Sequence, residues 1–152
     1  MLKYEKGNLV TAWLDGEVDV LIHQANCFNT FGSGIAKEIR ERIPEAYQAD
    51  LKTERGSVLK LGDYTMYEAP NGQMVINLYG QYDYGRTGRR YTEYGSLHLG
   101  LDLLSGNLSY SKPYVIGLPK LGCGLGGGDW AIVESLVDLH LSGWWDVVVY
   151  EL

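Results

Sequence analysis

Residues 18–43 read VDVLIHQANCFNTFGSGIAKEIRERI, and their pattern decides the fold class. Val18 to His23 is a mostly apolar run of strand length, as expected of a strand with helices on both faces of its sheet. From Gln24 to Gly34 the chain is dense in turn formers. Ile35, Ile39 and Ile43 then recur at i, i+4 and i+8, the period of a helix face, and Pro44 is the stop. Strand, glycine loop and helix in that order make the opening unit of an α/β fold.

The same alternation continues outward. Residues 45–62 are polar and mixed, with room for one short helix and a loop. Residues 63–69 and 73–79 flank Pro70-Asn71-Gly72, and Asn-Gly between β-rich runs predicts a hairpin. Residues 92–104 carry Leu97, Leu101 and Leu104 at helical spacing, with Thr92 as the expected N-cap and an end near Ser105-Gly106-Asn107. Tyr114 to Leu118 is a second short apolar strand running into a second glycine loop, Pro119 to Asp129. A helix over 130–141 follows, with Asp129 as its N-cap and Gly143 as its terminator. Residues 145–152 read as a closing strand. No internal repeat or linker interrupts the pattern, so residues 1–152 are expected to form one domain, a three-layer α/β/α fold with a mixed central sheet.

Composition narrows the function classes. The 152 residues are 45% hydrophobic and 21% charged, which excludes a disordered or low-complexity chain. Thirteen Lys and Arg against nineteen Asp and Glu give a net charge of -6. That balance disfavours extended contact with nucleic acid and leaves a local anion site open. The N-terminal residues lack the apolar run of a secretory signal, and no stretch is long and apolar enough for a membrane span. A cytoplasmic monomer without a membrane partner is therefore expected, the oligomeric state staying open. Cys27 and Cys123 are read as free thiols, and neither metal-like spacing nor a cofactor fingerprint is present. Two excesses stand out: 20 glycines, and 12 tyrosines beside only 2 phenylalanines.

The glycines concentrate where a strand gives way to a helix. Such a junction offers free backbone N–H groups and the positive end of a helix dipole, and glycine lets the backbone approach a phosphate. Two junctions of this kind suit a diphosphate. Neither is a Walker sequence, and neither matches the dinucleotide fingerprint with its distant acidic residue. Between them, residues 77–91 interleave tyrosines and glycines with Arg86, Arg89 and Arg90. This loop reads as a lid that clamps phosphate and packs on sugar or base, as a solvated basic loop, or as a contact for single-stranded nucleic acid, the last disfavoured by the acidic whole.

Taken together, Ile22-His23-Gln24-Ala25-Asn26-Cys27, Gly32-Ser33-Gly34-Ile35-Ala36, Leu118-Pro119-Lys120-Leu121-Gly122-Cys123-Gly124-Leu125 and Val149-Tyr150-Glu151-Leu152 resemble the macro domain family. The nearest branch is that of small proteins resembling ADP-ribose-1''-phosphate phosphatases and terminal ADP-ribose protein glycohydrolases. The resemblance implies ADP-ribose or a derivative in a cleft at the strand ends. Gly32, Ser33, Gly34 and Ile35 match the loop that wraps the diphosphate and distal ribose. Gly122, Cys123, Gly124, Leu125 and Gly126 match the loop that holds the diphosphate from the other side. Asn26 matches an asparagine that hydrogen-bonds the distal ribose. Asn8 and Leu9 stand where the family contacts adenine, with Asn8 replacing an aspartate, and Tyr150 matches an aromatic near that base.

The resemblance also implies chemistry. His23 matches a histidine of the phosphatase-like members, where an imidazole can protonate a leaving oxygen or attack phosphorus. Glycohydrolase members place an aspartate after Gly-Cys-Gly-Leu and use a lysine nucleophile. Here Gly126 takes the aspartate's place, and no lysine stands near Tyr79-Gly80-Gln81-Tyr82. Asp129 is read either as a displaced acid or base or as a helix cap. The expectation is a metal-independent phosphatase acting on ADP-ribose-1''-phosphate through His23, Asn26 and Asp129. The alternatives are a hydrolase that removes ADP-ribose from modified protein or nucleic acid, and a non-catalytic ADP-ribose binder.

Overall fold

A computed structural model describes residues 2–152. Six strands form one mixed sheet in the order β1-β6-β5-β2-β4-β3, made of β1 (Lys3–Lys6), β2 (Val20–Ala25), β3 (Tyr64–Glu68), β4 (Met74–Tyr79), β5 (Val115–Leu118) and β6 (Asp146–Glu151). All neighbours pair parallel except the β3–β4 hairpin. Helices α1 (Leu9–Leu14), α2 (Gly34–Arg42) and α3 (Pro44–Leu51) cover one face, and α4 (Tyr94–Asn107) and α5 (Trp130–Val137) cover the other.

The pleat divides β2 between two cores. Val20 and Ile22 pack with Leu97, Leu101 and Val133 under α4 and α5, while Leu21 and Ala25 pack with Ile39 and Ala46 under α2 and α3. Val20, Leu21 and Ile22 are all fully buried, which is why this strand reads as a continuous apolar run. His23 shares the face of Leu21, and that register decides its role.

Several boundaries differ from the sequence reading, each for a physical reason. Pro44 ends α2 and also opens α3 as its first residue, a position where the missing N–H costs nothing. The fourth helix starts at Tyr94 with Glu93 at its N-cap, because Thr92 turns its hydroxyl to the carbonyl of Gly122, 2.7 Å away. The last helix changes to a π-helical turn over Asp138–Ser142 before Gly143. The opening β1 and α1 carry no strong signal: β1 is an edge strand with all four residues exposed, and α1 is one and a half turns long. Among the described residues no helix is long and apolar enough to cross a membrane.

Candidate functional site

A cleft of about 550 Å³ opens at the carboxyl ends of β2, β4 and β5. This is where a parallel sheet places the loops that precede its helices, and where open α/β sheets usually bind ligands. Three loops wall it, after β2, after β4 and after β5.

The first loop is set by two asparagines. Asn26 donates from Nδ2 to the carbonyl and hydroxyl of Thr30, and its Oδ1 accepts from the amide of Phe28, closing an Asx turn. One lone pair of Oδ1 is left for a ligand. Asn29 lies in the left-handed region at φ 57°, and its Nδ2 donates to the carbonyls of Asp50 and Thr53. Lys60, nearly buried, donates to Asn29 Oδ1. These bonds tie the loop to α3 and aim Gly32, Ser33, Gly34 and Ile35 into the cleft. Ser33 precedes α2 without capping it, so the first-turn amides of α2 have no side-chain partner.

The second glycine loop owes much of its glycine to packing. Gly122 is left-handed at φ 68°, and the amide of Gly128 donates to its carbonyl. A Cβ on Gly126 would lie 2.5 Å from Thr92 Oγ1, and one on Gly127 would lie 2.9 Å from the carbonyl oxygen of Arg89. The carbonyl of Gly126 accepts from the amides of Tyr91 and Thr92. With its carbonyls turned inward, the loop leaves the amides of Gly122, Gly124, Leu125 and Gly126 without a protein acceptor among the described residues. Gly124 alone in this run has open space at its Cβ position.

The third wall is the tyrosine and arginine loop, which contributes Gln81, Tyr84, Gly85 and Arg86. A chain of side-chain bonds joins all three walls: Gln24 Nε2 donates to Gln81 Oε1 and to Thr92 Oγ1, and the Thr92 hydroxyl donates to Gly122. Lys120 also lines the cleft, with Nζ 2.8 Å from Glu151 Oε1, a contact that raises its pKa and keeps the amine charged. The lining therefore holds two cations and no carboxylate, in a chain whose net charge is -6.

The structure brings Asn26, Gly32, Ser33, Gly34, Ile35, Gly122, Gly124, Leu125 and Gly126 to one cleft. Six of the expected site residues do not line it. His23 is fully buried on the opposite face of the strand from Gln24, its Nε2 2.6 Å from Asn77 Oδ1 and its ring edge-on to Phe31 at 5.1 Å. Burial lowers its pKa to about 4, so it stays neutral and donates to Asn77. Asn8 caps α1 by accepting from the amide of Thr11 and gives its Nδ2 to Glu38 Oε2. Leu9 is buried in the core beneath α1. Asp129 accepts from the amide of Ala131 and caps α5. Cys123 turns its thiol back to the carbonyl of Leu121, and Tyr150 packs against the core under α1 and α2.

Gln24, Thr30, Gln81 and Lys120 are cleft residues to which the motifs give no role, while Tyr84 and Arg86 come from the loop for which a lid is one of three readings. The signal for Gln24 was the strand alternation itself, which puts it on the face opposite His23. Among the described residues no cluster of three or more His, Cys, Asp or Glu side chains could hold a metal ion.

No protein-family model matches the chain. It is 35% identical to the "Uncharacterized 17.5 kDa protein in tk-vs intergenic region" of Enterobacteria phage T4, over 93% of this chain and 91% of that protein. It is 30% identical to the DNA ADP-ribosyl glycohydrolase of Thermus aquaticus over 93% of its own length, which is 38% of that relative's. Among solved structures, a Bacteroides thetaiotaomicron protein of unknown function superposes with a TM-score of 0.81 at 25% identity, covering 100% of this chain and 98% of that one. The macrodomain of Thermus aquaticus DarG superposes with a TM-score of 0.76 at 24% identity, over 100% and 99%. A mixed sheet in this strand order, sandwiched by helices, agrees with these neighbours along the whole chain, and the chain has the macrodomain fold.

Proposed function

We propose that this protein binds ADP-ribose in the cleft and hydrolyses the bond that joins its distal ribose to a modified substrate. The observation that carries the reading is the cleft lining: unpaired amides of two glycine loops, with Arg86 and Lys120 and no carboxylate. Such a lining suits a diphosphate, since amides and a helix N-terminus hold anionic oxygens at fixed points while the cations add charge. The relatives named DNA ADP-ribosyl glycohydrolase support a reaction at the ribose carbon. In that reaction water adds to C1'', the bond to the modified group breaks, and the group leaves with the electron pair and takes a proton. Asn26 would accept from a ribose hydroxyl through its remaining lone pair and fix the sugar. The bound diphosphate would itself favour the positive charge that develops on the ribose.

A second reading, removal of phosphate from ADP-ribose-1''-phosphate, draws on Arg86, a guanidinium suited to a terminal phosphate. It no longer has His23 to draw on. The test is calorimetric titration with ADP-ribose, followed by product analysis on ADP-ribosylated substrates and on ADP-ribose-1''-phosphate. Saturable binding and release of ADP-ribose from a modified substrate is the expected result. Release of phosphate alone would favour the second reading, and absence of ADP-ribose binding would overturn both.

A further inference from the structure

The helices on the α4 and α5 side of the sheet carry little of the charge that a solvated helix usually has. Tyr94–Asn107 and Trp130–Val137, with the π-helical turn Asp138–Ser142, contain no Lys or Arg, and Glu134 is taken up by the Tyr4 hydroxyl. Across the sheet, α2 and α3 carry Lys37, Glu38, Arg40, Glu41, Arg42 and Glu45, the ordinary pattern of a water-facing helix. The α4 and α5 side exposes large apolar side chains instead. Leu99 is 60% exposed, Leu139 70% and Trp144 63%, and Leu103, Ile132 and Tyr110 are exposed as well.

These residues belong to one strip, because the two helices run side by side. Where they start, the Tyr94 hydroxyl accepts from the amide of Asp129. Midway, His98 Nδ1 and His140 Nε2 share a hydrogen bond of 2.9 Å, and Asp102 lies 3.8 Å from His140. Beyond their ends, Tyr110 packs against Trp144 with ring centres 4.6 Å apart. Gly95 and Gly106 also lie on the exposed side of α4. Glycine weakens a helix, and Gly100 has a packing reason, since a Cβ there would lie 2.5 Å from Leu78 Cδ1. A Cβ on Gly95 or Gly106 would meet nothing within 4 Å, so the chain itself gives no packing reason for either. A contiguous apolar face of this kind marks an interaction surface.

We propose that this face pairs two copies of the chain in an isologous dimer, with α4 crossing its twin antiparallel. Self-complementarity selects a second copy as the occupant. A two-fold axis level with Gly100 and Leu101 sets Gly95 against the partner's Gly106, and His98 and Leu99 against the partner's Asp102 and the partner's Leu103. Small then meets small, imidazole meets carboxylate, and leucine meets leucine. A parallel pairing would set Asp102 against the partner's Asp102. At 1.5 Å rise per residue and about 10 Å between axes, the two helices offer roughly 600 Å² on each copy, about 1,200 Å² in all, the lower edge of specific interfaces. The net charge of -6 on each copy does not prevent pairing, because charges away from the face are screened over about 10 Å in 0.1 M salt. Neither helix lines the cleft, so pairing leaves both clefts open, at opposite ends of the dimer.

The experiment is sedimentation equilibrium of the full chain from about 1 to about 300 µM, where an interface of this modest area should dissociate. The wild type should move from 17.0 kDa toward twice that mass as concentration rises. Leu99→Glu/Leu103→Glu, at two exposed positions, should stay at 17.0 kDa throughout, with an unchanged circular dichroism spectrum. Mild oxidation of Gly95→Cys/Gly106→Cys should give a reducible covalent dimer, and Gly95→Cys alone should not. A wild type that stays monomeric at the highest concentration would overturn the dimer. A glutamate pair that dimerises like the wild type would remove this face from it, and a cysteine pair that fails to cross-link would overturn the antiparallel register. Should the glutamate pair fail to fold, the cysteine pair still decides. None of these readouts needs a ligand, so the dimer and the proposed function stand or fall separately.

Discussion

At the scale of single residues, His23 shows how one register step separates motif from role. It stands three residues before Asn26, yet the pleat sends its ring beneath α3, where Asn77 accepts from Nε2 and itself donates to the carbonyl of Ala46 and to Thr65 Oγ1. The histidine is thus part of a buried hydrogen-bonded group. Its folded pKa, about 4, lies below the value of about 6.5 expected in an unfolded chain. Between these values the unfolded chain takes up a proton that the folded chain does not. Stability from this group is therefore complete above pH 6.5 and is lost as pH falls toward 4, by about 3 kcal/mol in all. His23→Gln keeps a donor for Asn77 and removes the titration. Urea denaturation at pH 7 and pH 4.5 should show a smaller acid loss in the variant, with ADP-ribose affinity close to wild type at pH 7. An unchanged acid loss, or abolished ligand binding in a folded variant, would return His23 to the cleft chemistry.

At the scale of elements, much was legible in local pattern, and the misses share a cause. The β2 strand, the hairpin at Asn71-Gly72, the strand over 115–118 and the helix behind Asp129 follow from periodicity and turn chemistry within a dozen residues. The glycines of 122–128 carried a mixed signal, because one residue type serves two ends. Gly126, Gly127 and Gly128 make room for Thr92, Arg89 and Gly122, while the amides of the same loop face the cleft. Sequence spacing cannot separate close packing on a distant loop from close approach of a ligand. Thr92 is displaced from its expected capping role by the same long-range contact. Asp129 poses the opposite case, a polar residue beside a cleft loop whose work is local. Its carboxylate accepts from Ala131 at the start of α5, and removing such a cap costs about 1 kcal/mol. Asp129→Ala should therefore lower the melting temperature by about 2–4 °C, without changing ADP-ribose affinity or turnover. Loss of turnover at unchanged stability would make Asp129 an acid or base after all.

At the scale of the whole molecule, charge is distributed against its own average. A net charge of -6 repels anions at long range, yet the cleft presents Arg86 and Lys120 with no carboxylate among its lining residues. Sequence shows the total but not this separation, because Lys120 and Arg86 come from loops after different strands and converge only through the sheet order β5-β2-β4. Net repulsion keeps unspecific polyanions away, while amides and two cations at fixed points hold a small one, so recognition depends on short-range geometry. Salt separates these contributions. Raising NaCl from 50 to 500 mM shortens the screening length from roughly 14 Å to about 4 Å, which weakens cation–phosphate attraction across a solvent-open cleft and leaves amide contacts nearly intact. ADP-ribose affinity should fall by about 3–10-fold over that range. Arg86→Gln should bind more weakly at low salt and show a shallower decline. Thermal stability should change little in the same series, since the pairs Lys3–Asp146 and Arg42–Glu38 lie at the surface, where such pairs are worth about 0–1 kcal/mol each. Calorimetric titrations at four salt concentrations, with melting curves on the same samples, read both. An affinity indifferent to salt and to Arg86→Gln would leave the backbone amides to hold the diphosphate without help from the cations.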